Sequence, residues 1–116
     1  MQLAGKIADA DAAAARDFAE LARRASSPAA AIQNAFKAAE YAVNAAAPLF
    51  RRRRPTTHDE SKNLAYKIST ACGKSFGKLL VIYLGSYRHE NGTRMKKALK
   101  LMEEVFEEVR KLGVKV

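Results

Sequence analysis

KSFGKLLVIYLGSYR, residues 74–88, is the stretch on which the fold class turns. Its centre, Leu79–Leu84, is the longest purely apolar run in the chain. A run this short fits a buried strand or part of a buried helix, and its own periodicity does not separate the two. The flanking segments do. Downstream, Met95, Leu99, Met102, Phe106 and Val109 recur at steps of three and four, with Leu101, Val105 and Leu112 beside them. This is the strongest helical stripe in the sequence and predicts a helix to about residue 112, entered through an Asn91-Gly92 turn with Thr93 as cap. Upstream, Thr57 followed three residues later by Glu60 is a capping box that opens a helix at residue 58. Leu64, Ile68 and Ala71 face inward along it, and Gly73 is a natural stop. Residues 75–88 are therefore predicted as a helix, apolar nearly all round and the most buried of the set, with a strand over 79–84 as the competing assignment.

The same reading extends towards the N-terminus. Ser27 is placed to cap a helix with Pro28 at its first position, and Pro48 ends or kinks it. Ile32, Phe36, Ala39, Val43 and Ala46 form its apolar stripe, with Phe50 as a further candidate. Residues 2–25 place Leu3, Ile7, Ala10, Ala14, Phe18 and Leu21 on one face, a mostly alanine stripe suited to close helix approach. The expectation is an all-α, up-and-down antiparallel bundle of four to five helices forming one domain over residues 1–116.

The chain is 116 residues long, 48% apolar and 28% charged, a composition that supports a packed core and excludes disorder. No segment is long enough to span a bilayer, the N-terminal stretch lacks the pattern of a signal peptide, and the single Cys72 reads as a small core residue in a reducing compartment, so a cytoplasmic location is expected. The net charge of +9 is not spread evenly. Residues 1–50 are neutral overall, residues 51–100 carry a net +10 and residues 101–116 a net −1. A localised excess of this kind aims a field at an anionic partner, most often nucleic acid. If the helices alternate up and down, the loops at 50–57 and 88–93 emerge at the same end. Arg51, Arg52, Arg53, Arg54 and His58 would then lie near Arg88, His89, Arg94, Lys96 and Lys97.

Four consecutive arginines match phosphates bidentately and cannot be titrated away. The alternative is a solvated loop that keeps the protein soluble. His58 and His89, the only histidines, both fall beside arginines. An imidazole can take the 2′-hydroxyl proton of RNA while a guanidinium holds the developing phosphorane, which is a metal-independent cleavage. The plainer readings are a first-turn polar residue for His58 and a dipole-favoured C-terminal residue for His89. No His/Cys/Asp/Glu set stands at metal-ligand spacing. Gly73-Lys74-Ser75 echoes the end of a P-loop, but the required upstream glycine position is Ile68 and no strand precedes it. Glu103, Glu104, Glu107 and Glu108 read as a solvated face with local ion pairing, or else as a surface that docks a basic patch of a second subunit.

AIQNAFKAAEYAVNAAAPLF, TTHDESKNLAYKI and LLVIYLGSYRHENGTRMKKALKLMEEVFEEVRK together resemble the HEPN-domain proteins of prokaryotes, over about residues 15–112. The resemblance implies a four- or five-helix bundle that often dimerises. Members include ribonuclease toxins paired with small nucleotidyltransferase antitoxins, and proteins that only bind nucleotides or RNA. Catalytic members carry Arg, four to six residues, then His. Arg53, Arg52 and Arg51 meet that spacing to His58, with Pro55 intervening, whereas active members place the pair in a later helix, where this chain has adjacent Arg88 and His89.

These readings yield three functional expectations. One is a nucleic-acid- or nucleotide-binding protein, contacting phosphate through Arg51 to Arg54, Arg88, Arg94, Lys96 and Lys97. Another is a metal-independent endoribonuclease toxin using Arg53, His58, Arg88 and His89. The third is a non-catalytic subunit that docks an acidic partner protein. All three fit a homodimer or a nucleotidyltransferase-type antitoxin as partner, with no membrane, metal or cofactor involved.

Overall fold

The computed structural model describes residues 3–86 and 92–116. Five helices account for most of them: α1 (Leu3–Arg24), α2 (Pro28–Ala45), α3 (His58–Ile68), α4 (Thr70–Gly85) and α5 (Gly92–Arg110). A single 3-10 turn, Ala47–Phe50, follows α2. Residues 79–84 are helical, so the competing strand is not formed. There is no strand among the described residues. The body measures 43 × 25 × 23 Å, and no described helix is long and apolar enough to cross a membrane.

Local chemistry sets the starts of these helices. Ser27 Oγ accepts from the Ala30 amide at 3.2 Å, with Pro28 in the first turn of α2. Thr57 Oγ1 accepts from the Glu60 amide at 3.1 Å. The reciprocal arm of the capping box is displaced by one residue: Glu60 Oε1 accepts from the amide of Thr56 at 3.0 Å, not from Thr57. That bond holds the Glu60 carboxyl below its ordinary value. The expected stop at Gly73 does not occur. The break comes at Ser69, whose extended backbone lets its hydroxyl cap α4 through the Cys72 amide at 2.9 Å. Gly73 lies inside α4 and is absent a side chain for a packing reason: a Cβ there would fall within the Tyr66 ring. Ala71, expected inside α3, is exposed in the first turn of α4. α5 starts one residue before Thr93, so Thr93 is not its cap.

The core forms around α2, which packs against all four other helices. Ile32, Phe36, Ala39, Val43 and Ala46 are all buried, as their spacing predicts. α4 is not the most buried helix: Phe76, Leu79 and Ile82 face inward, but Val81 and Leu84 are 67% and 61% exposed. α1 presents a different face from the expected one. Asp11, Ala12, Ala15, Ala19 and Ala22 are buried, while Ile7 and Leu21 point outward. The reason is steric. A row of alanines admits the alanine-rich side of α2 at short interaxial distance, and the larger side chains are left at the margins.

Helix directions overturn the simple up-and-down alternation. Phe18 of α1 stacks on Tyr41 of α2 at 5.4 Å, and α1 also meets α5 through Arg23 and Glu103 at 2.6 Å and the segment after α5 through Arg16 and the Lys115 carbonyl. α1 is thus antiparallel to both α2 and α5, which run in the same sense. Ser75 bonds Glu104, and Gly85 lies beside Arg94, so α4 is antiparallel to α5. His58 meets Glu40 and Ser61 meets Asn44, so α3 advances with α2. The cause is the connection at 51–57, an extended strap that runs back along α2 instead of turning tightly. Extended chain covers about 3.3 Å per residue, so this strap backs up over the last turns of α2, to the level of Glu40, before α3 begins.

Candidate functional site

The strap starts at Arg51, whose left-handed backbone (φ 54°) closes the 3-10 turn. It is then fastened at three points. Arg54 Nε donates to both carboxylate oxygens of Asp11, at 3.1 and 2.9 Å, and its guanidinium lies over the Tyr41 ring at 5.6 Å. Pro55 is buried. Thr56 is held by Glu60 through its amide and its hydroxyl. Asp11 is only 5% exposed, and its hydrogen bond raises the already high pKa of Arg54. The Arg54 charge is therefore committed within the fold.

Between the strap, α1 and α2 lies a cleft of ≈ 400 Å³. Lys37, Glu40, Tyr41, Arg54, His58 and Ser61 are among the side chains around it. His58 Nδ1 is 2.7 Å from Glu40 Oε2. A carboxylate can only accept, so Nδ1 is the donor to Glu40, and in the neutral ring Nε2 is the nitrogen free to take a proton. The ring is set edge-on against Phe36 and Tyr83, at 5.0 and 5.8 Å, which fixes its plane. Below it Ser61 Oγ donates to Asn44 Oδ1 at 2.9 Å, a buried pair tying α3 to α2. An imidazole oriented by a carboxylate in this way can accept a proton from a substrate hydroxyl. Cations at the cleft can hold an anionic group nearby.

The expected cluster is only partly assembled. Arg51, Arg52 and Arg53 are exposed on the strap and form no ion pair among the described residues. Arg52 and Arg53 line two flanking clefts of ≈ 230 and ≈ 240 Å³ rather than the one holding His58. The arginine that shares the cleft with His58 is Arg54, not Arg53. Arg94, Lys96 and Lys97 lie at the start of α5, at the opposite end of α2 from Arg51–Arg53, because α2 and α5 run in the same sense. The predicted single basic pole is therefore two separate regions. Arg88 and His89 lie outside the described residues.

Glu40, Asp11, Lys37 and Tyr41 were not among the residues expected here. A signal for Asp11 did exist: it stands in line with Ala15, Ala19 and Ala22 on the small-residue face of α1, where a buried carboxylate demands a cationic partner. The acidic face of α5 is occupied internally. Glu104 and Glu108 accept from Ser75 and Ser69 at 2.9 and 2.8 Å, and Glu108 also pairs with Lys111. Those bonds hold the Glu108 carboxyl below its ordinary value, the Lys111 bond contributing most. Among the described residues no group of three or more His, Cys, Asp or Glu is placed to hold a metal ion. No family model matches this sequence, and comparison with curated proteins and with solved structures finds no match either.

Proposed function

We propose that this is a HEPN-like protein that binds RNA or a nucleotide through the strap between α2 and α3. The observation that carries the reading is a row of three exposed arginines, Arg51 to Arg53, on a backbone fastened by Arg54–Asp11 and Thr56–Glu60. Pre-organised, uncommitted guanidinium groups lose little entropy when they engage phosphate. Arg94, Lys96 and Lys97 are too far along the body to share that contact with them, so they are not part of this phosphate site. The resemblance adds a homodimer, a nucleotidyltransferase-type partner and a cytoplasmic location to the proposal.

Salt-dependent binding of single-stranded RNA tests this directly. Releasing counterions from three phosphates contributes about 2 to the slope of log K against log salt. Arg51→Ala/Arg52→Ala/Arg53→Ala should weaken binding and flatten the slope by about that amount. Undiminished affinity in the triple variant, or no affinity for RNA or nucleotides in the wild type, rejects the proposal.

A second reading is metal-independent RNA cleavage, favoured by the Glu40–His58 pair at 2.7 Å beside Arg54 and Lys37. His58 would act as base and Lys37, the cation of the cleft that no carboxylate claims among the described residues, would stabilise the transition state. Cleavage should then persist in EDTA, vanish in His58→Ala and fall in Glu40→Gln. Intact RNA after incubation with the wild type removes this reading and leaves binding alone.

A further inference from the structure

Among the described residues, nothing covers the outer face of α4. Lys74, Lys78, Val81 and Leu84 are all exposed and lie along one stripe of the helix. Beside them, between α4 and α5, runs a groove of ≈ 380 Å³ lined by Lys78, Val81, Ile82, Arg94 and Lys97. Among the described residues no carboxylate lines it. Several cations elsewhere are matched, Arg23 with Glu103, Arg54 with Asp11 and Lys111 with Glu108, although among the described residues Arg51 to Arg53 on the strap are not. Lys74, Lys78 and Lys97 form no ion pair among the described residues.

We infer that this α4–α5 face docks an acidic amphipathic helix of a partner protein. Two exposed aliphatic side chains towards the end of α4, Val81 and Leu84, select an apolar ridge, and the lysines beside them, Lys74, Lys78 and Lys97, select carboxylates. The shallow valley between two antiparallel helices accepts a third helix by ridges-into-grooves packing, with anchors on the incoming helix three, four and seven residues apart. A phosphate backbone satisfies the lysines but gains nothing from Val81 and Leu84. A second copy of this chain, paired about a twofold axis through this face, would set Lys74, Lys78 and Lys97 against their own images. An anionic membrane needs a broader apolar face to bind stably than these two side chains supply.

The inference goes beyond the RNA proposal and is tested apart from it. The probe is a fluorescein-labelled synthetic helix of about 18 residues, five turns, with leucines on one face and glutamates on the other. It is titrated with the full chain and followed by anisotropy. Saturable binding is expected, at least about tenfold weaker in Lys78→Glu/Lys97→Glu and separately in Val81→Ser/Leu84→Ser. All four side chains are exposed, or in the groove rim, so the fold is retained, which circular dichroism checks. Arg51→Ala/Arg52→Ala/Arg53→Ala should bind the peptide as the wild type does. Peptide binding no better than that of a leucine-to-serine control, or equal binding by both double variants, overturns the inference. Cosedimentation with phosphatidylserine vesicles that both double variants lose, without peptide binding, overturns it in favour of a lipid surface.

Discussion

Removing Arg54 should cost far more than the exposure of its side chain suggests. Its partner Asp11 is 5% exposed on the inner face of α1, and both carboxylate oxygens are satisfied by Arg54 Nε. An exposed ion pair contributes at most about 1 kcal/mol, whereas breaking a buried one costs about 3–5 kcal/mol because a charge is left without a partner. Here one member is buried and the other is 41% exposed, so the loss falls between these limits. Arg54→Met should destabilise the fold by about 2–3 kcal/mol, including the contact over Tyr41, worth up to about 1 kcal/mol. Asp11→Ala frees Arg54 into solvent and should cost only about 1 kcal/mol. The double variant no longer contains an orphan carboxylate. It should be more stable than Arg54→Met alone, a non-additivity that identifies the buried charge as the source of the penalty. Urea unfolding reads these differences, and for a domain of this size the Arg54→Met loss corresponds to about 10 °C in Tm. An Arg54→Met loss under about 0.5 kcal/mol, or single losses that simply add in the double variant, refutes the reasoning. The same substitution should weaken RNA binding, because the strap that presents Arg51–Arg53 loses its anchor.

Three further outcomes follow from the packing. Gly73→Ala forces the Tyr66 ring from its seat, so its helix-propensity gain is masked; in a Tyr66→Ala background it should stabilise by about 0.5–1 kcal/mol, measured by thermal melts. The Glu60 carboxyl is held below its ordinary value of 4.5, so its bond to Thr56 supports the fold fully above that value and is lost as pH falls through the depressed folded pKa. Glu60→Gln should therefore flatten the acid limb of the stability–pH curve below 4.5, and an unchanged limb would show that the bond contributes nothing. Burial pushes the Cys72 thiol up to about 12, so at pH 8 iodoacetamide should label it only after unfolding, and rapid labelling of the native protein would contradict its burial.

Helices were legible because the apolar spacing and the caps are local properties. Ser27, Thr57 and the stripe from Ile32 to Val43 behave as their sequence neighbourhood predicts, since a cap satisfies donors within three residues and a stripe needs only one buried side. The face of α1 was not legible. In a helix where most residues are alanine, several faces are nearly equally apolar, and only the close approach of α2 selects the one carrying Asp11 and Ala15. The break between α3 and α4 was misplaced for a similar reason: Ser69 and Gly73 are both plausible stops, and the choice depends on Glu108, distant in sequence, which accepts from the Ser69 hydroxyl.

The candidate site divides in the same way. Sequence alone determined an all-helical chain with an arginine-rich connection and a histidine just beyond it, because composition and spacing are written in adjacent residues. Which cations share a surface was decided only by tertiary structure. The strap at 51–57 runs back along α2, so α3 advances with α2 and the two basic regions separate to opposite ends. Glu40 reaches His58, and Asp11 reaches Arg54, only because that reversal brings the strap over α1 and α2. A connection that looks like a loop in sequence can turn tightly or run extended, and the difference is set by what its side chains find to bind across the fold.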